Sequence, residues 1–160
     1  MTVLTSFPTE LPIPYIQTEL SVARDPQGER TADLTFGTLQ TTPDPDGMKV
    51  REGLYFTPAW NPQEEARSLE MFTDISATQA RHEALIRVAQ AARRRSLYGV
   101  TWHYERLSAR AKNAAGELLA SESLGSIPSD MPQEKRREIE ASLISSVIEQ
   151  AQDWAILGLN

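Results

Sequence analysis

Between Arg81 and Lys112 the sequence gathers the side chains best suited to hold a phosphate backbone. Arg81, Arg87, Arg93, Arg94, Arg95, Arg106, Arg110 and Lys112 are set against only Glu83 and Glu105, a local charge of +6 in a 160-residue chain whose net charge is -6. The stretch RRRSLYGVTWHYERLSARAK, Arg93 to Lys112, interleaves the arginines with Tyr98, Trp102 and Tyr104. Arginines neutralise phosphates while exposed rings stack on unpaired bases, so Arg93, Arg94, Arg95, Trp102, Tyr104, Arg106 and Arg110 form the candidate nucleic-acid contact set. A plainer explanation exists for the same residues. Cations suit the negative end of a helix dipole. Rings that alternate in step with Val100 are what a strand shows when it turns one face into a core. The rest of the chain carries -12, which opposes bulk attraction to phosphate. The helix end running into a buried strand is therefore the preferred reading, and nucleic acid is the alternative partner of segment 81–112.

Other chemistry finds less support. His82 precedes Glu83, but no second histidine follows at helical spacing to complete a zinc-binding H-E-x-x-H. His103 falls on the outer face of its strand with no adjacent nucleophile signature. TPDPDGMKVREG resembles a calcium loop only superficially. With Asp44 and Asp46 at its third and fifth positions, the first would be Thr42 and the twelfth Gly53, and neither supplies a carboxylate. The segment is a turn. Phosphate-loop, nucleophile-elbow and dinucleotide-binding glycine patterns are lacking, and with no cysteine there is no thiolate nucleophile, disulfide or cysteine-based metal site. The expectation is a non-enzyme with no catalytic residue, no metal and no cofactor.

The elements that carry these residues change character along the chain. Tyr15 to Arg24 and Glu29 to Gln40 are β-prone and joined at DPQG, which reads as a hairpin turn. MKVREGLYF follows the turn cluster TTPDPDG as one further strand with Gly53 as a bulge. Asn61, Pro62 and the acids Glu64 and Glu65 spell a helix start, with Ala66, Leu69 and Phe72 on the inward face. SATQ at Ser76 has capping-box form and restarts a helix to about Arg95. After Gly99 the period becomes that of a strand, with Val100, Trp102 and Tyr104 inside; a turn at Asn113 to Gly116 and a returning strand come next. A last helix, capped at Ser129 or Asp130 and stopped at Gly158, keeps Ile139, Leu143, Val147, Ala151 and Trp154 on one face.

The fold class expected is α+β: an antiparallel sheet of β-hairpins covered by two or three helices, in a single domain of residues 1–160. GERTADLTFGTL from Gly28 and GELLASESLGSI from Gly116 align Ala32 with Ala120 and Gly37 with Gly125. This suggests an internal duplication of a hairpin-helix unit, with copies over about 13–96 and 97–160. The first residues lack a basic start and an apolar run, so no signal peptide is expected, and no apolar stretch is long enough for a membrane span. A cytoplasmic protein with no membrane partner is the expectation.

Function is read from surfaces. Trp154 should anchor the last helix on its own sheet, while Ile156, Leu157 and Leu159 extend the apolar character beyond one stripe. Those four residues, Trp154, Ile156, Leu157 and Leu159, are the candidate protein-interaction set. The chain is expected to be a binding or assembly protein, as a homo-oligomer or as an accessory subunit of a larger assembly, viral ones included.

Overall fold

The computed structural model describes residues 15–45 and 47–157, with side chains through Trp154. Among the described residues the fold is α+β, with two three-stranded antiparallel sheets of order β1-β5-β6 and β2-β4-β3 and four helices. The elements are β1 (Gln17–Arg24), α1 (Gly28–Thr35), β2 (Gly37–Gln40), β3 (Met48–Arg51), β4 (Leu54–Pro58), α2 (Pro62–Phe72), α3 (Ala77–Ser96), β5 (Tyr104–Lys112), β6 (Leu118–Pro128) and α4 (Gln133–Leu157). Two compact units divide the described residues: Ala23–Arg106 with Gly125–Met131, and 15–22 with Leu107–Leu124 and 132–157. Asp46, Gly158 and Leu159, the side chains of Ile156 and Leu157, and the N-terminal stretch through Pro14 lie outside the described residues. No helix among the described residues is long and apolar enough to cross a membrane.

In the unit beginning at Ala23, the expected hairpin at DPQG is replaced by a helix. Asp25 holds the turn: its Oδ1 accepts from the Gln27 amide at 2.9 Å, and its carbonyl accepts from the Gly28 amide at 3.0 Å. The chain is thereby aimed into α1, whose inward residues Gly28 and Ala32 are four apart, the helical rather than the strand spacing. Gly28 has no room for a side chain, because a Cβ there would collide with the Tyr98 hydroxyl and stand 3.1 Å from Tyr104 Cβ. At Gly37, φ of +138° and a Thr57 carbonyl that any Cβ would strike require glycine as β2 begins. The matched segments therefore differ in kind: Gly28–Thr35 is helical while Leu118–Pro128 is a strand. The aligned residues are not structural copies, and the duplication inferred from them is withdrawn.

MKVREGLYF makes two strands rather than one. Gly53, at φ +74°, takes the turn between β3 and β4, and the irregularity in pairing falls between Lys49 and Arg51 instead. The central strand β4 pairs Phe56 with Leu39 of β2 and Met48 of β3. Phe56 is fully buried beneath Val88, Ala91 and Ala92 of α3, and burying such a ring contributes on the order of 1.5–3 kcal/mol. Both expected helix starts are present: Asn61 accepts from the Gln63 and Glu64 amides, and Ser76 accepts from the Gln79 amide. Helix α3 turns a face of small residues inward, Ala80, Ala84, Val88, Ala91 and Ala92, which lets it lie close to its neighbours. On α2 Ala66 is buried, but Phe72 is exposed and takes no part in the expected face.

Gly99, at φ +79°, turns the chain after α3, and its amide donates to the Trp102 carbonyl at 2.7 Å. The strand expected from Val100 consequently starts at Tyr104, and Val100 is exposed while Trp102 and Tyr104 are buried. The anticipated cap of the last helix is also reassigned. Helix α4 begins at Gln133, Ser129 Oγ accepts from the His103 amide at 2.9 Å, and Asp130 pairs with Arg94.

In the other unit, β5 and β6 form the expected hairpin. Asn113 Oδ1 accepts from the amides of Ala115 and Glu117, and Gly116 supplies φ of +82°. Strand alternation sorts the sheet's faces. Lys112 bonded to Glu19 and Ser108 bonded to Ser123 lie on one face. The other carries Leu107, Ala109, Ala111, Ala120 and Leu124, and α4 lies over its β6 side: Gln150 bonds Glu122, and Glu122 and Leu124 share a cleft with Ile139 and Leu143. Leu143, Val147 and Ala151 are buried as expected. Trp154 is 45% exposed, so it is not the anchor that its spacing suggests.

Candidate binding groove

The basic aromatic segment folds into a tightly bonded internal arrangement in the Ala23 unit. Arg94 forms a two-pronged pair with Asp130, Nη1 to Oδ2 at 2.5 Å and Nη2 to Oδ1 at 2.7 Å. Its guanidinium lies 3.6 Å from the centre of the Trp102 ring, and the Trp102 Nε1 donates back to the Arg94 carbonyl at 2.8 Å. The hydrogen bond from Arg94 holds the Asp130 carboxyl below the usual carboxylate range, and the same bond raises Arg94 further. Arg95 is only 7% exposed and reaches Asp33 at 2.9 Å and Glu29 at 3.4 Å, both on α1. Phe36, Tyr98, Trp102 and Tyr104 meet edge to face or tilted at centroid distances of 5.0 to 5.9 Å. Burial pushes the Tyr104 hydroxyl above its ordinary value.

The proposed contact set is thus partly assembled, but inward. Arg94, Arg95, Trp102 and Tyr104 come together as core and ion pairs, and buried rings offer no face for a base to stack on. Arg93 is exposed in the last turn of α3, Arg106 is half-buried near Asp25, and Arg110 is exposed on β5. His82 is exposed on α3, and His103 Nε2 lies 3.4 Å from Glu105 Oε1. Among the described residues no cluster of three histidine, aspartate or glutamate side chains is arranged to hold a metal ion.

Beside the ring cluster lies an open groove of about 720 Å³ that the motif reading did not single out. Thr35 and Phe36 at the end of α1, Trp60 from the loop before α2 and Glu65 from its first turn form one side. Arg87, Gln90, Ala91 and Arg94 form the other, a single stripe on α3 because residues three, four and seven apart share a helix face. The charges at the rim are matched within the unit, Arg87 with Glu65 and Arg94 with Asp130. Trp60 packs on the Phe56, Val88, Ala91 and Ala92 core, and its Nε1 is buried with no hydrogen-bond partner among the described residues. The sequence held one signal for this site, the helical spacing of Arg87, Ala91 and Arg94. Nothing in the sequence brings Trp60 to that stripe.

In comparisons with known proteins, no family model, no curated protein and no solved structure matches the chain.

Proposed function

We propose that the protein is a non-catalytic binding protein that receives an extended segment of a protein partner in the groove between Trp60 and α3. The observation that supports this reading is that Trp60, which lines the open apolar groove, carries a buried Nε1–H without an acceptor among the described residues. Leaving such a donor unpaired costs about 1–3 kcal/mol, so a carbonyl supplied by a bound backbone recovers free energy that folding alone leaves unrealised. Phe36 and Ala91 suit an apolar side chain beside that carbonyl. Because both rim arginines already have carboxylate partners, a phosphate backbone would have to displace Glu65 and Asp130 to be bound.

The test is fluorescence anisotropy with a labelled library of end-blocked hexapeptides centred on Leu, Phe or Trp, run beside a labelled single-stranded oligonucleotide. Peptides should bind saturably, about tenfold more weakly to Trp60→Phe, which keeps the ring and loses the donor, as one hydrogen bond implies. Gln90→Trp, substituting an exposed position, should fill the groove and abolish binding. Peptides that ignore the protein or both substitutions would overturn the proposal, as would oligonucleotide binding that Gln90→Trp abolishes.

A further inference from the structure

From the β1 edge we infer that a second copy of this chain is the occupant of that edge, joining two three-stranded sheets into one six-stranded sheet across a twofold axis at Ser21. This inference is independent of the groove. Among the described residues β1 is an outer strand of the β1-β5-β6 sheet. Its sequence, QTELSVAR, has no proline and no lysine, and its two charges, Glu19 and Arg24, are of opposite sign. On the face shared with α4, Leu20 and Val22 remain 40% and 52% exposed, since α4 lies toward β6. That half of an apolar sheet face has no cover among the described residues.

Strand geometry says why the cover should be another β1. Just past the strand's end the Asp25 amide bonds the Tyr104 carbonyl of β5, so odd-numbered residues turn their backbone groups toward β5. The even-numbered Thr18, Leu20, Val22 and Arg24 then direct N–H and C=O groups to the free edge. An antiparallel pairing centred on Ser21 sets Leu20 opposite the second copy's Val22, and Thr18 opposite its Arg24. Every outward-facing group from Thr18 to Arg24 is then used, in about eight backbone hydrogen bonds. No like charges are opposed, since Glu19 falls opposite Ala23. A twofold axis normal to the sheet keeps both α4 helices on the same face. Leu20 and Val22 of the two copies then meet as one apolar cluster between the helices.

The experiment uses the full chain. It contains no cysteine, so Ser21→Cys introduces a single thiol. Directly opposed residues in a non-hydrogen-bonded pair have Cα atoms about 4.5 Å apart, within disulfide range. Ser21→Cys should form a covalent dimer on mild oxidation at least tenfold faster than Ser142→Cys, an exposed control on α4. Sedimentation velocity should show a concentration-dependent dimer weakened at least tenfold by Val22→Pro, which removes only an outward-facing N–H. Circular dichroism of Val22→Pro shows whether the fold is retained, and the two cross-linking rates decide between the outcomes even where it is not. A chain that stays monomeric to about 100 μM would overturn the inference. So would a dimer in which Ser21→Cys cross-links no faster than Ser142→Cys.

Discussion

Replacing Asp25 tests how the two distant turns of the Ala23 unit depend on one carboxylate. Asp25 is 5% exposed; Oδ1 accepts from the Gln27 amide at 2.9 Å, and Oδ2 accepts from the Ser126 amide at 2.8 Å, 101 positions along the chain. Ser126 has φ of +58°, a conformation that non-glycine residues seldom take, and the carboxylate fixes its amide there. Hydrogen bonds to a charged acceptor contribute about 1.5–3 kcal/mol each. Two lost bonds, offset by release of a desolvated carboxylate, give about 3 kcal/mol for Asp25→Ala. Asp25→Asn keeps one oxygen acceptor but sets an amide donor against the other N–H, and should cost about 2 kcal/mol. The Ser126 amide, chiefly, lowers the Asp25 pKa; burial opposes this, and the Gln27 amide and Arg106 assist. A carboxyl lowered in the folded state stabilises fully above the unfolded value of about 3.9 and loses that contribution as pH falls through the folded value. In urea denaturation followed by circular dichroism, the gap between wild type and Asp25→Asn should therefore be wide at pH 7 and narrower at pH 3. A gap below about 0.5 kcal/mol at pH 7, the scatter of ordinary surface substitutions, or one that does not change with pH would refute the reasoning.

The two tryptophans should separate sharply on truncation: Trp102→Ala, from a nearly closed core, should cost about 3–5 kcal/mol in chemical denaturation, and the 45% exposed Trp154→Ala about 1 kcal/mol or less. Arg95→Gln leaves Asp33 and Glu29 without their shared cation and should cost about 2 kcal/mol, whereas Arg93→Gln should change the melting temperature by no more than about 2 °C. Gly28→Ala should lower the urea midpoint clearly, since the new methyl collides with the Tyr98 hydroxyl; Gly53→Ala meets no atom and should cost only the strain of its positive φ, about 1 kcal/mol.

What could be read from the sequence was what is decided within a few residues. Asn61 and Ser76 cap their helices because the amides they bond lie two and three residues ahead, and Asn113 and Gly116 close their hairpin within five positions. Helix α1 was illegible for the converse reason. Eight residues are too few to hold a helix in water unaided, and what holds this one comes from elsewhere in the chain: Arg95 on Asp33 and Glu29, and Tyr98 and Tyr104 over Gly28. Its alternating residues resemble a strand when those contacts are unknown. Trp154 shows a different limit. Spacing placed it three residues past the buried Ala151 on one stripe, but periodicity fixes only which face turns inward, not how far along the helix the covering surface reaches.

The concentration of charge between Arg81 and Lys112 shows most clearly why a linear pattern is not a surface. Along the chain the segment carries +6, the profile of a phosphate grip. In space its carboxylates are supplied from outside it: Glu65 to Arg87, Asp130 to Arg94, Asp33 and Glu29 to Arg95, and Glu19 to Lys112. Arg106 likewise helps to lower the pKa of Asp25. Five acids of the remainder thus form the other half of these ion pairs, and three of the arginines on α3, Arg87, Arg94 and Arg95, are gripped electrostatically by other elements. Alternation placed Trp102 and Tyr104 on a buried face for the same structural purpose, since a ring lying under Arg94 supports the guanidinium that holds Asp130. A surface free to bind must then be sought where the polar and apolar groups have not been matched, at the Trp60 Nε1–H and along the Leu20 and Val22 edge of β1.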